Sequence, residues 1–284
     1  MHVTEPDKYP IKKEGQYKPH AALLSDALAN AKRLQLPNMV FVQPSYYGTN
    51  NACLLDALKQ AGGRGVVAFN PQNVAKALLR EWHYLGVRGY RVNLKSVGST
   101  PTRKQLYQLL RTRVDFLART LDNWVLDLFM DMSMVPNLEP LANDLKGVKL
   151  AIAHLGSPSE LKENLSDMPG WDALIALMKK NKDVYVKISA PYRVPGSDPD
   201  FRKLERMTKE LFAANDEGVV FASDWPHTRF EGTDGWKWIE RCHEWCGNDD
   251  MRTKLFKTNA ERLWDAGEKS EKSGADDPPD VGGV

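Results

Sequence analysis

The chain has 284 residues, 42% of them hydrophobic and 27% charged, and its 39 Lys and Arg against 37 Asp and Glu leave a formal charge of +2. That balance excludes a protein that grips nucleic acid through a basic surface, and no apolar run approaches the roughly 18–20 residues needed to cross a bilayer. Three cysteines are too few for a disulfide framework, and the opening Met1-His2-Val3-Thr4-Glu5-Pro6 is too polar for the core of a secretion signal. The expectation is a cytoplasmic, enzyme-sized protein without nucleic-acid or membrane partners.

In chain order, a helical pattern over residues 22–34 leads into the apolar run Met39-Val40-Phe41-Val42-Gln43, which reads as a buried strand. A helix over about 51–61 precedes the strand Gly65-Val66-Val67-Ala68-Phe69, and one over about 72–84 precedes Gly86-Val87-Arg88-Gly89-Tyr90-Arg91-Val92. Runs over 124–130, 148–154, 184–189 and 219–223 read as four further strands separated by helical segments. Near-continuous apolar strands alternating with helices predict a parallel sheet covered by helices. The count is seven, where a (β/α) barrel needs eight. An open doubly wound sheet is the alternative, but Gly62-Gly63-Arg64-Gly65 precedes a strand instead of following one, the wrong context for a dinucleotide loop. Residues 1–266 are expected to form one domain. From Gly267 the composition turns to Gly, Ser, Lys, Glu, Asp and Pro, which predicts a disordered tail over 267–284.

A barrel carries its chemistry where strands end. The polar strand ends here are Gln43-Pro44-Ser45-Tyr46-Tyr47, Arg91 with Asn93, His154-Leu155-Gly156, Pro191-Tyr192-Arg193 and Ser223-Asp224-Trp225-Pro226-His227. An ionised carboxylate can take a proton from water while an imidazole polarises a carbonyl, and guanidinium forks suit substrate carboxylates, so the set suggests hydrolysis. Each residue has a plainer reading. Asp224 before Trp225-Pro226 could cap a helix, His154 could be a satisfied core imidazole, Arg91 and Arg193 could be structural ion-pair partners, and His227 could cap a loop. Cys242, His243 and Cys246 lack the second ligand pair of a structural zinc site. Cys242 and Cys246 share a helical face with nearby Trp238 and Trp245, which predicts core packing.

The segments VFVQPSYYGTNN, GVRGYRVN, LAIAHLGSP, VYVKISAPYR, VVFASDWPHT and NAERLW, in this order over about residues 1–266, resemble the amidohydrolase-related (amidohydrolase 2) family that includes 2-pyrone-4,6-dicarboxylate lactonase. The resemblance implies a (β/α)8 TIM barrel of the metal-dependent hydrolase type and a hydrolase that opens a lactone or related carboxylated ring. It implies Asp224 as the base that activates water, with His154 and His2 at the carbonyl. It further implies Arg91, Arg193, His227, Tyr17 and Ser45 as substrate-binding, with Tyr47 a further pocket candidate on the same loop. His2 matches the second His of the family's Asp-x-His-x-His opening. The first His and its strand have no counterpart, so strand 1 is expected to be lacking or truncated and the eighth position open or filled by other residues or a second copy of the chain.

Against the family's pattern, Val97 and Ser157 stand where arginines are expected and Phe129 where a tyrosine is, which favours a less anionic ring acid than a dicarboxylated pyrone. No tightly bound cofactor is expected; a single zinc or manganese ion would have only His2, His154 and Asp224 as family ligands. Two other readings stand beside the hydrolase: a metal-assisted decarboxylase of the same superfamily, and a non-catalytic relative that binds a ligand at the barrel mouth.

Overall fold

The computed structural model describes residues 1–11 and 18–266; the expected tail over 267–284 and Tyr17 lie outside the described residues. In chain order the chain forms α1 (Leu24–Arg33), β1 (Val40–Val42), α2 (Ala52–Ala61), β2 (Arg64–Val67), α3 (Lys76–Tyr84), β3 (Val87–Asn93), α4 (Arg103–Thr120), β4 (Val125–Phe129) and α5 (Glu139–Ala142). There follow β5 (Lys149–Ile152), α6 (Trp171–Lys180), β6 (Val184–Ile188), α7 (Glu205–Ala214), β7 (Val219–Phe221), α8 (Gly235–Trp245), α9 (Asp249–Thr253) and α10 (Asn259–Trp264). The seven strands pair in sequence order, every pair parallel, in one curled sheet. All seven expected strands form. The Gly62-Gly63 run serves the turn from α2 to β2: Gly63 has φ +92°, and a Cβ there would lie 2.5 Å from the Met39 carbonyl oxygen.

The sequence leaves the eighth barrel position without a strand, and the structure fills it with Met1 and His2. Met1 N donates to Val40 O at 2.9 Å and Val42 N donates to Met1 O at 2.8 Å, the pattern of a parallel ladder along β1. On the other side His2 N donates to Trp225 O at 2.8 Å, just past β7. Thr4 then pairs antiparallel with Ala22, and the segment thereby bonds to β1 on one side and to the chain just past β7 on the other.

Strand alternation sorts the side chains. Leu126, Leu128, Val184, Val186 and Ile188 face outward into the main core shared with the helices. Val66, Val125, Ala151, Tyr185 and Val220 pack with Leu263 and Trp264 in a second cluster at the barrel floor. Gly89 makes room there, since a Cβ would stand 3.2 Å from the Trp264 ring. This gives NAERLW a structural role: its tryptophan plugs the floor. Cys242 and Cys246 are free and buried beside Trp238 and Trp245 on α8, as their spacing predicts.

Above the apolar floor lies a charged layer. Arg91 and Asp127 are register partners on β3 and β4, and Asp127 pairs with Lys187 of β6. At 1% and 8% exposure, Asp127 and Lys187 are too buried for water to replace either partner. Removing one strands the other, at a cost of about 3–5 kcal/mol. Asp127→Ala should therefore lower the urea midpoint strongly, while Asp127→Leu combined with Lys187→Met should recover much of the loss; equal loss in both variants would show that the pair is not coupled.

Candidate active site

The strand ends that carry the chemistry share an unusual backbone. His154 (φ 56°), Ala190 (φ 52°), Asp224 (φ 54°) and His227 (φ 61°) all sit in the left-handed region that side chains other than glycine disfavour. Such conformations cost of order 1–3 kcal/mol each and persist where surrounding contacts over-determine them, commonly at functional sites. No helix begins at Asp224, for the next one starts at Gly235, so the helix-cap reading of Asp224 falls away.

Asp224 is the hub. Its carboxylate is 7% exposed, and its two oxygens are used differently. Oδ2 accepts from Arg193 Nε at 2.9 Å and from the Tyr192 hydroxyl at 2.8 Å. Oδ1 faces His154 Nε2 at 3.7 Å and His2 Nε2 at 4.0 Å. One oxygen is held by donors, and the other faces two imidazoles.

Second partners fix what those imidazoles can do. His2 Nδ1 lies 2.7 Å from the Val42 carbonyl, which only accepts, so the proton sits on Nδ1 and Nε2 is a bare acceptor. His154 Nδ1 lies 2.8 Å from Ser189 Oγ, a hydroxyl that can donate or accept.

Burial is the largest influence on both. It lowers the His154 pKa to about 3 and that of His2 well below its ordinary value, with the Asp224 charge opposing in each case. For Asp224, burial pushes upward, but the attraction of His154, Arg193 and His2 and the Arg193 hydrogen bond override it and hold the carboxyl far below the usual range. Near neutrality the site contains an ionised carboxylate and neutral imidazoles.

Of the remaining predicted residues, Arg193 is already engaged. It donates to Asp224 and, through a terminal nitrogen, to Thr228 O at 2.9 Å, and it stacks over the Tyr192 and Phe230 rings at 5.4 and 5.1 Å. Arg91 donates to Gln43 O, while its Nε is buried without a hydrogen-bond partner among the described residues. Ser45 is exposed on the turn after β1. Tyr47 is 1% exposed and accepts from Glu5 N at 3.1 Å, a core position. His227 joins the network through Tyr192, its Nδ1 lying 3.0 Å from the Tyr192 hydroxyl. Sequence reasoning assigned no role to Tyr192, Ser189, Asp127 or Lys187. The last two left a signal: a single charged residue inside each of the apolar strands Val-Leu-Asp-Leu-Phe and Val-Tyr-Val-Lys-Ile.

A family model described as amidohydrolase matches residues 1–266. The chain belongs to the amidohydrolase family. It is accordingly a hydrolase of that family with the family's barrel fold. Its curated relatives include the 2-pyrone-4,6-dicarboxylate hydrolase of Comamonas testosteroni, 25% identical over 239 residues, or 80% of this chain and 75% of that one. A Pseudomonas putida structure, provisionally named a 2-pyrone-4,6-dicarboxylic acid hydrolase, superposes with a TM-score of 0.77 at 27% identity, covering 93% of this chain and 95% of that one. A Burkholderia multivorans amidohydrolase with bound zinc shares the fold, with a TM-score of 0.69 at 19% identity over 86% of this chain and 89% of that one. Among the described residues, no helix is long and apolar enough to cross a membrane.

The depressed histidines set a pH dependence. Between about pH 6.5, the unfolded value, and about 3, the folded value of His154, the unfolded chain binds the extra proton, so stability is complete above the window and falls as pH drops through it. Thermal midpoints should decline from about pH 6.5 to about 5.5, above most of the range where carboxylates titrate. His154→Gln should flatten that decline; an unchanged slope would show that His154 is not buried neutral.

Proposed function

We propose that this family member opens a lactone bearing a single ring carboxylate, with Asp224 as the base that activates water. The supporting observation is the division of labour on its carboxylate: Oδ2 is held by Arg193 and Tyr192 while Oδ1 faces His2 and His154. A water beside these groups donates to Asp224 Oδ1 and to the bare Nε2 of His2, which aims its lone pair at the ester carbon. His154 Nε2–H donates to the carbonyl oxygen, where negative charge develops. The new carbon–oxygen bond forms as the water proton passes to Asp224. The ring ester bond then breaks, and the leaving oxygen takes that proton back.

Arg91 is the residue for the substrate carboxylate. Its Nε is buried without a hydrogen-bond partner among the described residues, whereas the Arg193 Nε is committed to Asp224. Phe129 sets its ring 4.8 Å from that of His154, edge to face, so the surface beside the carbonyl is apolar. Val97 is 46% exposed and Ser157 is buried, so neither supplies the cation that a second carboxylate would need. The ligand accepted is therefore a ring acid with one carboxylate.

The donor set does not fit a metal ion. Among the described residues, no three His, Cys, Asp or Glu side chains form a group arranged to hold one. Among the described residues, two imidazoles face Asp224 Oδ1, and Oδ2 is taken by Arg193 and Tyr192. No step is routed through a metal.

Asp224→Asn should lower kcat by about 10³-fold with an unchanged far-ultraviolet circular dichroism spectrum; near wild-type turnover would refute the base. Arg91→Met should raise KM for a monocarboxylated pyrone by on the order of tenfold, since a charge-assisted bidentate contact is worth about 1.5–3 kcal/mol, with a smaller effect on kcat. Activity should survive exhaustive dialysis against a chelator, and loss of activity restored by zinc or manganese would overturn the metal-free reading.

A further inference from the structure

Tyr192 lies between two groups of the site. Its hydroxyl is 2.8 Å from Asp224 Oδ2 and 3.0 Å from His227 Nδ1. An ionised carboxylate only accepts, so the single phenolic proton points to Oδ2. The Tyr192 oxygen can then engage His227 only as an acceptor, which puts the proton of His227 on Nδ1. We propose that Tyr192 is a positioning residue of the active site, the middle link of a one-way hydrogen-bond chain from His227 Nδ1–H through the Tyr192 hydroxyl to Asp224 Oδ2, which fixes the His227 tautomer and reserves Oδ1 for the water.

The surroundings fix the chain in place. Tyr192 follows Ala190 and Pro191 at the end of β6, on a short turn whose first residue is left-handed. Its ring lies 4.8 Å from Phe230 and 5.5 Å, edge to face, from His227. The Arg193 guanidinium covers both Tyr192 and Phe230 and is itself tied to Thr228 O. The loop carrying His227, Thr228 and Phe230 is thereby bound to the turn carrying Tyr192 and Arg193, and both meet at one carboxylate oxygen. Burial, reinforced by the Asp224 charge, raises the Tyr192 phenol above its ordinary range, so the proton the chain needs stays on the ring oxygen. His227 Nε2 lies toward Gly235 at the start of α8, where a Cβ would stand 3.6 Å away. The expected substrate-binding histidine thus acts through Tyr192 on Asp224.

The inference rests on Asp224 as the base, and two readouts separate the two claims. Tyr192→Phe keeps the ring that packs on Phe230 and deletes only the hydroxyl. In long-range proton–nitrogen spectra of the full chain at neutral pH, wild-type His227 should show a protonated Nδ1 and a bare Nε2, and Tyr192→Phe should shift it toward the Nε2–H form. This readout needs no turnover. With a monocarboxylated pyrone as probe, kcat should fall about 10- to 100-fold, the usual cost of losing a group that orients a reacting one, while KM stays within about twofold. An unaltered His227 tautomer in Tyr192→Phe, or an unaltered kcat in a protein that does open the lactone, overturns the chain. A tautomer switch in a protein inert toward lactones supports the chain and refutes the Asp224 function instead.

Discussion

A carboxylate that is 7% exposed in the mouth of a barrel stays ionised only if the protein supplies what water no longer can, and that requirement organises this molecule. Isolated in an apolar setting, Asp224 would take up a proton. Here the Arg193 guanidinium and the Tyr192 hydroxyl meet one of its oxygens, and the charged layer below, with Arg91, Asp127 and Lys187 on three different strands, sets the field from beneath. Each group needs the strand ends to converge, and the convergence is held by backbone in the left-handed region at His154, Ala190, Asp224 and His227. Satisfying one oxygen completely and leaving the other among neutral imidazoles turns a buried charge into a base with a direction.

The second dependence is on closure. His2 reaches Asp224 because Met1 and His2 run along β1 and bond to the chain beyond β7. The same short segment occupies the eighth position along β1 and delivers an imidazole whose Nδ1 is held on the neighbouring strand at Val42. Architecture and chemistry are not separable there. A change in how these two residues pair would open the sheet edge and move a group that faces the water.

Much of this was legible from the residues. The seven strands were readable because parallel strands buried on both faces leave apolar runs, and His154, Asp224, Arg91 and Arg193 were readable because the polar residue ending such a run lies at the mouth. Three features were not. Met1-His2 is too short to carry a strand signal, and its role appears only when both its neighbours are in place. Arg193 reads as a ligand for substrate, and a sequence does not show that its guanidinium also meets Asp224 and Thr228. Tyr47 and Tyr192 are both loop tyrosines after a strand, yet the turn after β1 buries one in the core while the turn after β6 aims the other at Asp224; that difference lies in backbone conformation. Asp127 and Lys187 could have been found from single charges inside apolar strands, though not their pairing across the barrel.

The central chemical question is whether water attacks a ring carbonyl here. The direct measurement is the mass of the product formed from a monocarboxylated 2-pyrone incubated with the protein in oxygen-18 water. Gain of one labelled water, with the label in the newly formed carboxylate and the original carboxyl group retained, is the predicted result. Loss of carbon dioxide from the ring acid would instead establish a decarboxylase, and recovery of unchanged pyrone from a protein that binds it would leave only a binding site; either contradicts the account.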